Sequence, residues 1–324
     1  MRRRLLPSAV TALALSLAVA GCSLSDDTQQ ADGQAGSGDS SQGPVVAVAT
    51  TTQLGSVLDR VAACGGGSAV TVMGPGDDPH DYSASSQQVA QMVDAGIVFA
   101  NGLGLEGGMG AALGGAARDG ADVVEVAPQL DPMPFGQSTH AGEHGHDHGS
   151  EDPHVWMDVA RMARAAEVMG DSLAEHRNEP GYAECGRTVR GELEETDAEV
   201  RRILSEVPED RRTIATDHDA YGYFAAAYGL EVSGTVIPGG STDAEPSSQE
   251  LAALTSSLRQ DGTDVLVTSV GLPSGLVDTV AAEAGGMPVV HLYESGVGPA
   301  GTAEADYADA MLFNARTLAD ALKG

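Results

Sequence analysis

The chain has 324 residues, 47 of them acidic and 17 basic, for a formal charge of −30. So acidic a surface repels nucleic acid and anionic lipid headgroups, which excludes a nucleic-acid binder, and it is compatible with attracting cations. The length suffices for two modest lobes with real cores.

Met1-Arg2-Arg3-Arg4 is a basic start, and residues 5–20 form a mostly apolar run. That run has signal-peptide length and is too short and too rich in small residues to span a bilayer. It ends in Leu17-Ala18-Val19-Ala20-Gly21-Cys22, a pattern similar to the bacterial lipobox. Residues 1–22 are therefore expected to be a lipoprotein leader, with Cys22 lipidated and becoming the mature N-terminus; the alternative is an ordinary secretory signal with a cysteine nearby. Residues 23–43 are rich in Ser, Gly, Asp and Gln and have little to bury. They predict a flexible tether, so the protein is expected on the outer face of the cytoplasmic membrane, held by lipid. A monomer is expected.

From residue 44 the chain alternates strand and helix patterns. Apolar runs at 45–49, 69–73, 97–100 and 123–126 predict strands, and residues 52–64, 85–95 and 105–117 between them have helical spacing. This rhythm means a parallel sheet with helices on both faces. Residues 128–151 break it with a long loop carrying His140, His144, His146 and His148. Loops of that length in a compact domain usually have a function of their own or are disordered. Residues 159–176 are helical, and 180–207 read as a long helix with dense alternating charge. Strand patterns resume at 213–216, 231–237, 265–269 and 289–292, with helices at 220–228, 249–259, 276–284 and 307–322. The expected architecture is α/β, with two lobes at 44–179 and 208–324, each a parallel sheet flanked by helices, joined by one long rigid helix at 180–207. No internal sequence repeat marks the lobes as duplicates. Apart from Cys22, the chain has Cys64 and Cys185. Outside the cell they form either one disulfide or two buried thiols.

Three histidines lie in aspartate frames: Asp78-Pro79-His80, Asp152-Pro153-His154 and Asp217-His218-Asp219. Each falls after a strand or in a loop. So does Glu294, just beyond the strand at 289–292. Open parallel sheets bind ligands beyond the carboxyl ends of their strands. His80, His154, His218 and Glu294 together therefore predict a metal site in a cleft between the lobes, since imidazole and carboxylate are the common ligands of zinc-like cations. The flanking aspartates suit the role of partners that fix each imidazole's tautomer.

Two enzyme readings compete. Gly102-Leu103-Gly104-Leu105-Glu106-Gly107 follows a strand, and Glu125 closes the next one, much as in a dinucleotide-binding fingerprint of an NAD-dependent oxidoreductase. Glu106 would there set a negative charge beside the pyrophosphate. Alternatively, three histidines with an open water position could serve a zinc-dependent hydrolase.

The frames also carry a resemblance. Asp78-Pro79-His80-Asp81-Tyr82 followed by Asn101-Gly102, Asp152-Pro153-His154-Val155-Trp156-Met157-Asp158, and His218-Asp219-Ala220-Tyr221-Gly222 resemble the motifs of the ZnuA/TroA-like family. These are zinc/manganese solute-binding lipoproteins of ABC transporters. Glu245-Pro246-Ser247 and Tyr293-Glu294-Ser295 extend the likeness to the C-terminal half. The resemblance implies that His80, His154 and His218 ligate the metal, that an ABC permease is the partner, and that the protein is not an enzyme. It also implies an aspartate as fourth ligand where this chain has Glu294, leaving Glu294 or a water for that position. Manganese importers resembling this chain tend to have a carboxylate at the position of His218. Three imidazoles and one carboxylate suit tetrahedral Zn²⁺ better than Mn²⁺. The tract at 140–148 is expected to gather zinc or sense it.

Overall fold

The computed structural model describes residues 43–135, 151–242 and 244–324. The leader, Cys22, most of the tether and the histidines at 140–148 lie outside the described residues. The first sheet comprises β1 (Val45–Ala49), β2 (Ser68–Thr71), β3 (Ile97–Ala100) and β4 (Asp122–Glu125), all parallel, in the order β2-β1-β3-β4. Its two central strands are apolar on both faces. Ala47, Ala49, Ile97 and Phe99 pack in the core with α1 (Thr52–Cys64), while Val48 and Val98 pack with residues of α2 (Ser86–Ala95) and α3 (Gly110–Arg118). Continuous apolar runs of this kind are what a parallel sheet covered on both sides requires.

The second sheet repeats this topology. β5 (Thr213–Thr216), β6 (Glu231–Thr235), β7 (Val265–Ser269) and β8 (Val289–Leu292) are parallel in the order β6-β5-β7-β8. The two strand orders correspond although the sequences show no repeat. Burial asks only for an apolar run at each strand, and many sequences meet that demand.

Two helices stand between the sheets in the chain, α4 (Val159–Arg177) and α5 (Gly181–Ser205). Asn178 makes the turn between them at φ 53°. The helices pack closely: a Cβ on Gly170 would lie 2.7 Å from Gly186 Cα. Over 25 residues α5 extends roughly 37 Å. Near its start Cys185 is bonded to Cys64 at the end of α1, with Cα atoms 5.7 Å apart. Near its end Arg201 lies over the ring of Tyr228 in α6 (Gly222–Tyr228), and Glu206 pairs with Lys323 of α9 (Tyr307–Lys323). One helix thus touches elements of both lobes. None of the described helices is long and apolar enough to cross a membrane.

The helix expected at 105–117 is shorter. Leu103 and Gly104 adopt positive φ, at 55° and 82°, so the chain turns before a short helical turn at Gly107–Met109 and then α3. The cause is Glu106. Its Oε1 accepts from the Asn101 amide (2.6 Å) and Thr50 Oγ1 (2.7 Å), and its Oε2 accepts from the Gly102 amide (3.0 Å). In a dinucleotide site the amides of a glycine turn face the pyrophosphate. Here the chain's own buried carboxylate takes them, which corrects the oxidoreductase reading of this segment.

Candidate metal centre

All four candidate side chains sit at the carboxyl ends of strands or at a helix entry. His80 is in the loop after β2, and His154 immediately precedes a short turn, Val155–Met157, that leads into α4. His218 lies two residues beyond β5 and Glu294 two beyond β8. The frames work as turns. The Asp78, Asp152 and Asp217 carboxylates each accept a backbone amide, that of His80, His154 and His218 respectively, at 2.7 to 3.0 Å. Short aspartate side chains commonly bond backbone amides one or two residues on in this way.

The three imidazoles meet. Their centroids form a nearly regular triangle with sides of 5.4, 5.7 and 5.4 Å. One nitrogen from each lies within 4.8 Å of the others. His154 and His218 are buried and His80 partly so. His154 Nδ1 contacts Asp152 Oδ1 at 2.7 Å, and His218 Nδ1 contacts Asp217 Oδ1 at 2.9 Å. An ionised carboxylate can only accept, so each Nδ1 carries a proton, and either ring in its neutral form turns an Nε2 lone pair inward. His154 Nε2 and His80 Nε2 face each other at 3.3 Å. His218 Nε2 is buried and has no hydrogen-bond partner among the described residues. A buried polar atom with no partner is unfavourable unless something completes it, and a cation would do so. Glu294 is buried, with Oε2 3.9 Å from His218 Nε2.

The histidine from the second lobe differs electrically from its neighbour. Burial opposes charging of both rings. It pulls His154 down to about 3. At His218 the Asp217 and Glu294 carboxylates outweigh burial and push the ring up to about 9.

Contacts across the lobes hold Glu294 from behind. Its backbone oxygen accepts Gln53 Nε2 and Trp156 Nε1, both at 2.8 Å. Asp78 Oδ2 accepts Thr242 Oγ1 at 2.6 Å. The sequence offers no signal for Gln53, Thr242 or Ser269, which approach only through the fold. Asp78, unlike Asp152 and Asp217, holds a backbone amide and a threonine rather than a ring.

Two similar α/β lobes, a helix that touches both, and a buried cluster of cation ligands at their strand ends define a metal-binding solute receptor. Comparison with known proteins agrees. The family described as "Zinc-uptake complex component A periplasmic" (ZnuA) matches residues 47–321, and the chain belongs to that family. The zinc-binding protein TroA of Treponema pallidum is 30% identical over 282 residues, 84% of this chain and 87% of that protein. The manganese-binding lipoprotein MntA of Halalkalibacterium halodurans is 26% identical over 314 residues, 96% of each. The solved structure of the T. pallidum periplasmic zinc-binding protein superposes with a TM-score of 0.73 at 28% identity, covering 86% of this chain and 99% of that one.

Proposed function

We propose that this protein captures Zn²⁺ outside the cytoplasmic membrane and delivers it to an ABC-type import permease. His80, His154, His218 and Glu294 are the ligands. The observation that carries the reading is the convergence of three imidazoles around His218 Nε2, a buried nitrogen with no hydrogen-bond partner among the described residues. Three nitrogens and a carboxylate oxygen are the donor set of a four-coordinate zinc site. Mn²⁺ is the second reading, supported by the relative named for manganese; it prefers more oxygens than this set supplies.

The lobes are 44–179 and 208–324, with 180–207 as the spine between them. Capture closes the ligands of the first lobe, His80 and His154, onto those of the second, His218 and Glu294. Release requires the two pairs to separate, which docking on the permease would bring about. Cys22 carries the lipid that keeps the protein at the membrane, and residues 23–43 give it reach. The histidines at 140, 144, 146 and 148 gather zinc or sense its abundance. The protein acts as a monomer and catalyses no reaction.

Metal analysis of the wild type and of His218→Ala and His218→Glu tests the site. Zinc should bind one to one in the wild type and be lost in the alanine variant, and the glutamate variant should shift toward manganese. Full zinc content in His218→Ala would sink the site.

A further inference from the structure

Thr50, Asn101 and Glu106 form one buried polar hub at the carboxyl ends of the first lobe's central strands. Thr50 follows β1 and Asn101 follows β3, and Glu106 Oε1 joins them by accepting from both. With Oε2 taken by the Gly102 amide, the backbone from 101 to 106 closes on one side chain.

Two arms leave this hub. Asn101 Nδ2 donates to the Pro153 oxygen at 2.9 Å and to the Gly102 oxygen at 3.2 Å. Pro153 immediately precedes His154. The other arm is the short turn Gly107–Met109, closed by the Met109 amide on the Glu106 oxygen at 3.0 Å. That turn packs against the loop carrying His80. A Cβ on Gly108 would collide with the Tyr82 oxygen and lie 2.9 Å from the Asp81 oxygen, and one on Gly107 would lie 3.5 Å from the His80 oxygen. Only glycine therefore fits at 108 while the loop stays where it is.

We propose that Glu106 is a positioning residue for the metal: its carboxylate sets the separation of the two first-lobe ligands, with Asn101 as the arm to His154 and Gly108 as the arm to His80. The inference rests on the ligand set proposed above. His80 and His154 stand 74 residues apart in the chain, yet their Nε2 atoms are 3.3 Å apart. One cation needs both nitrogens placed to within about 0.2 Å of its preferred bond length. Each frame aspartate sets its own turn. Glu106 sets one loop relative to the other, because both arms start from the backbone that its carboxylate holds.

Zinc affinity, read by competition against a chelator, tests the hub in double-mutant cycles. Glu106→Gln keeps the size of the side chain but turns a nitrogen toward the Gly102 or the Asn101 amide, donor against donor. It should weaken zinc binding roughly tenfold, the lower end of what losing a partner behind a ligand costs. Asn101→Ala and Gly108→Ala should each weaken it by a smaller factor. The cycles separate positioning from folding, since groups that act through one another do not add. Asn101→Ala should lose its effect in the His154→Ala background, and Gly108→Ala in the His80→Ala background, while each keeps its full effect in the other. The effect of Glu106→Gln should shrink in both. If Glu106→Gln does not fold, Asn101→Ala and Gly108→Ala carry the test. Losses that simply add in every background would overturn the proposal, because a general loss of stability is indifferent to which histidine is present. So would an unchanged affinity in Glu106→Gln, or coupling confined to one histidine. Unchanged zinc affinity in His80→Ala or His154→Ala would refute the ligand set itself, and the inference with it.

Discussion

Two aspartate–histidine pairs face one another across the cleft, and they are not equivalent. Asp152 and Asp217 hold the rings of His154 and His218 at nearly the same distance, 2.7 and 2.9 Å. The difference lies behind the carboxylates. Asp217 Oδ2 also accepts Thr268 Oγ1 and the Ser269 amide, at 3.0 and 2.9 Å. Burial would raise its pKa, but the His218 charge, the hydrogen bonds from the His218 ring and amide, and the Ser269 amide reverse that and hold it below the ordinary value. Asp152 has the His154 amide as its main support, and burial pushes its pKa up to about 7. The pair in the second lobe is thus an ion pair, while burial drives the pair in the first lobe toward neutrality. A similar contact is tuned to two charge states by the donors around it.

The largest consequence is pH dependence. A metal binds the neutral ring, so it must displace the His218 proton wherever that ring is charged. His218 has a raised folded pKa of about 9. In the metal-free protein its proton therefore stabilises the fold fully below the ordinary value of about 6.5, and that contribution fades as pH rises through about 9. Zinc affinity should run the opposite way, rising about tenfold per pH unit between about 6.5 and 9 and then levelling. Calorimetry in buffers of different ionisation heat should show one proton released per zinc near pH 7.5. His154, pulled down to about 3, adds no competition in this range. A flat affinity above pH 6.5 would show that the two pairs do not differ in charge.

Substituting the aspartates separates the pairs directly. Losing the partner of a ligating histidine typically lowers metal affinity 10- to 100-fold. Asp217→Asn should fall near the upper end, because it removes the charge that orients His218 and leaves Thr268 and Ser269 donating to a weaker acceptor. It should also move the onset of the pH dependence below about 9. Asp152→Asn replaces a carboxylate already inclined to protonate, so its loss should lie nearer tenfold, with the pH profile kept. Competition against a zinc chelator measures both. Equal losses would remove the distinction.

Much of this arrangement is legible in the sequence, and its limits are physical. Asp-Pro-His marks a turn and a ligand at once, because the aspartate bonds the amide two residues ahead and proline blocks helix. Strand runs such as 45–49 and 97–100 are short, apolar and bounded, so both the elements and the parallel sheets can be read from them. The helix at 105–117 misleads because Glu106 carries helical propensity but spends its carboxylate on the turn before it. The difference between the pairs is not legible at all. Both read as Asp near His, and Thr268 and Ser269 stand 51 and 52 residues from Asp217. The glycine pattern at 102–107 resembles a phosphate turn until the acceptor already inside it is seen.

The third aspartate marks the smallest effect. Asp78 holds no ring; it joins the His80 amide on Oδ1 to Thr242 Oγ1 on Oδ2, at 3.0 and 2.6 Å. Thr242 belongs to the second lobe, so this contact ties the loop carrying the least buried histidine across the cleft mouth. Gly240 of the same segment approaches Phe135 so closely that a Cβ there would lie 2.2 Å from the ring. His80 is the least buried of the three rings, and its loop is linked to the second lobe through Asp78 and Thr242, so loosening that link should ease its departure. Thr242→Ala should therefore speed zinc dissociation a few-fold, consistent with about 1 kcal/mol for one hydrogen bond at a part-buried site, and leave association nearly unchanged. Stopped-flow release into excess chelator reads the rate. If Thr242→Ala dissociates no faster while Asp217→Asn does, the first-lobe loop is not where release begins, and separation must start from the second-lobe pair.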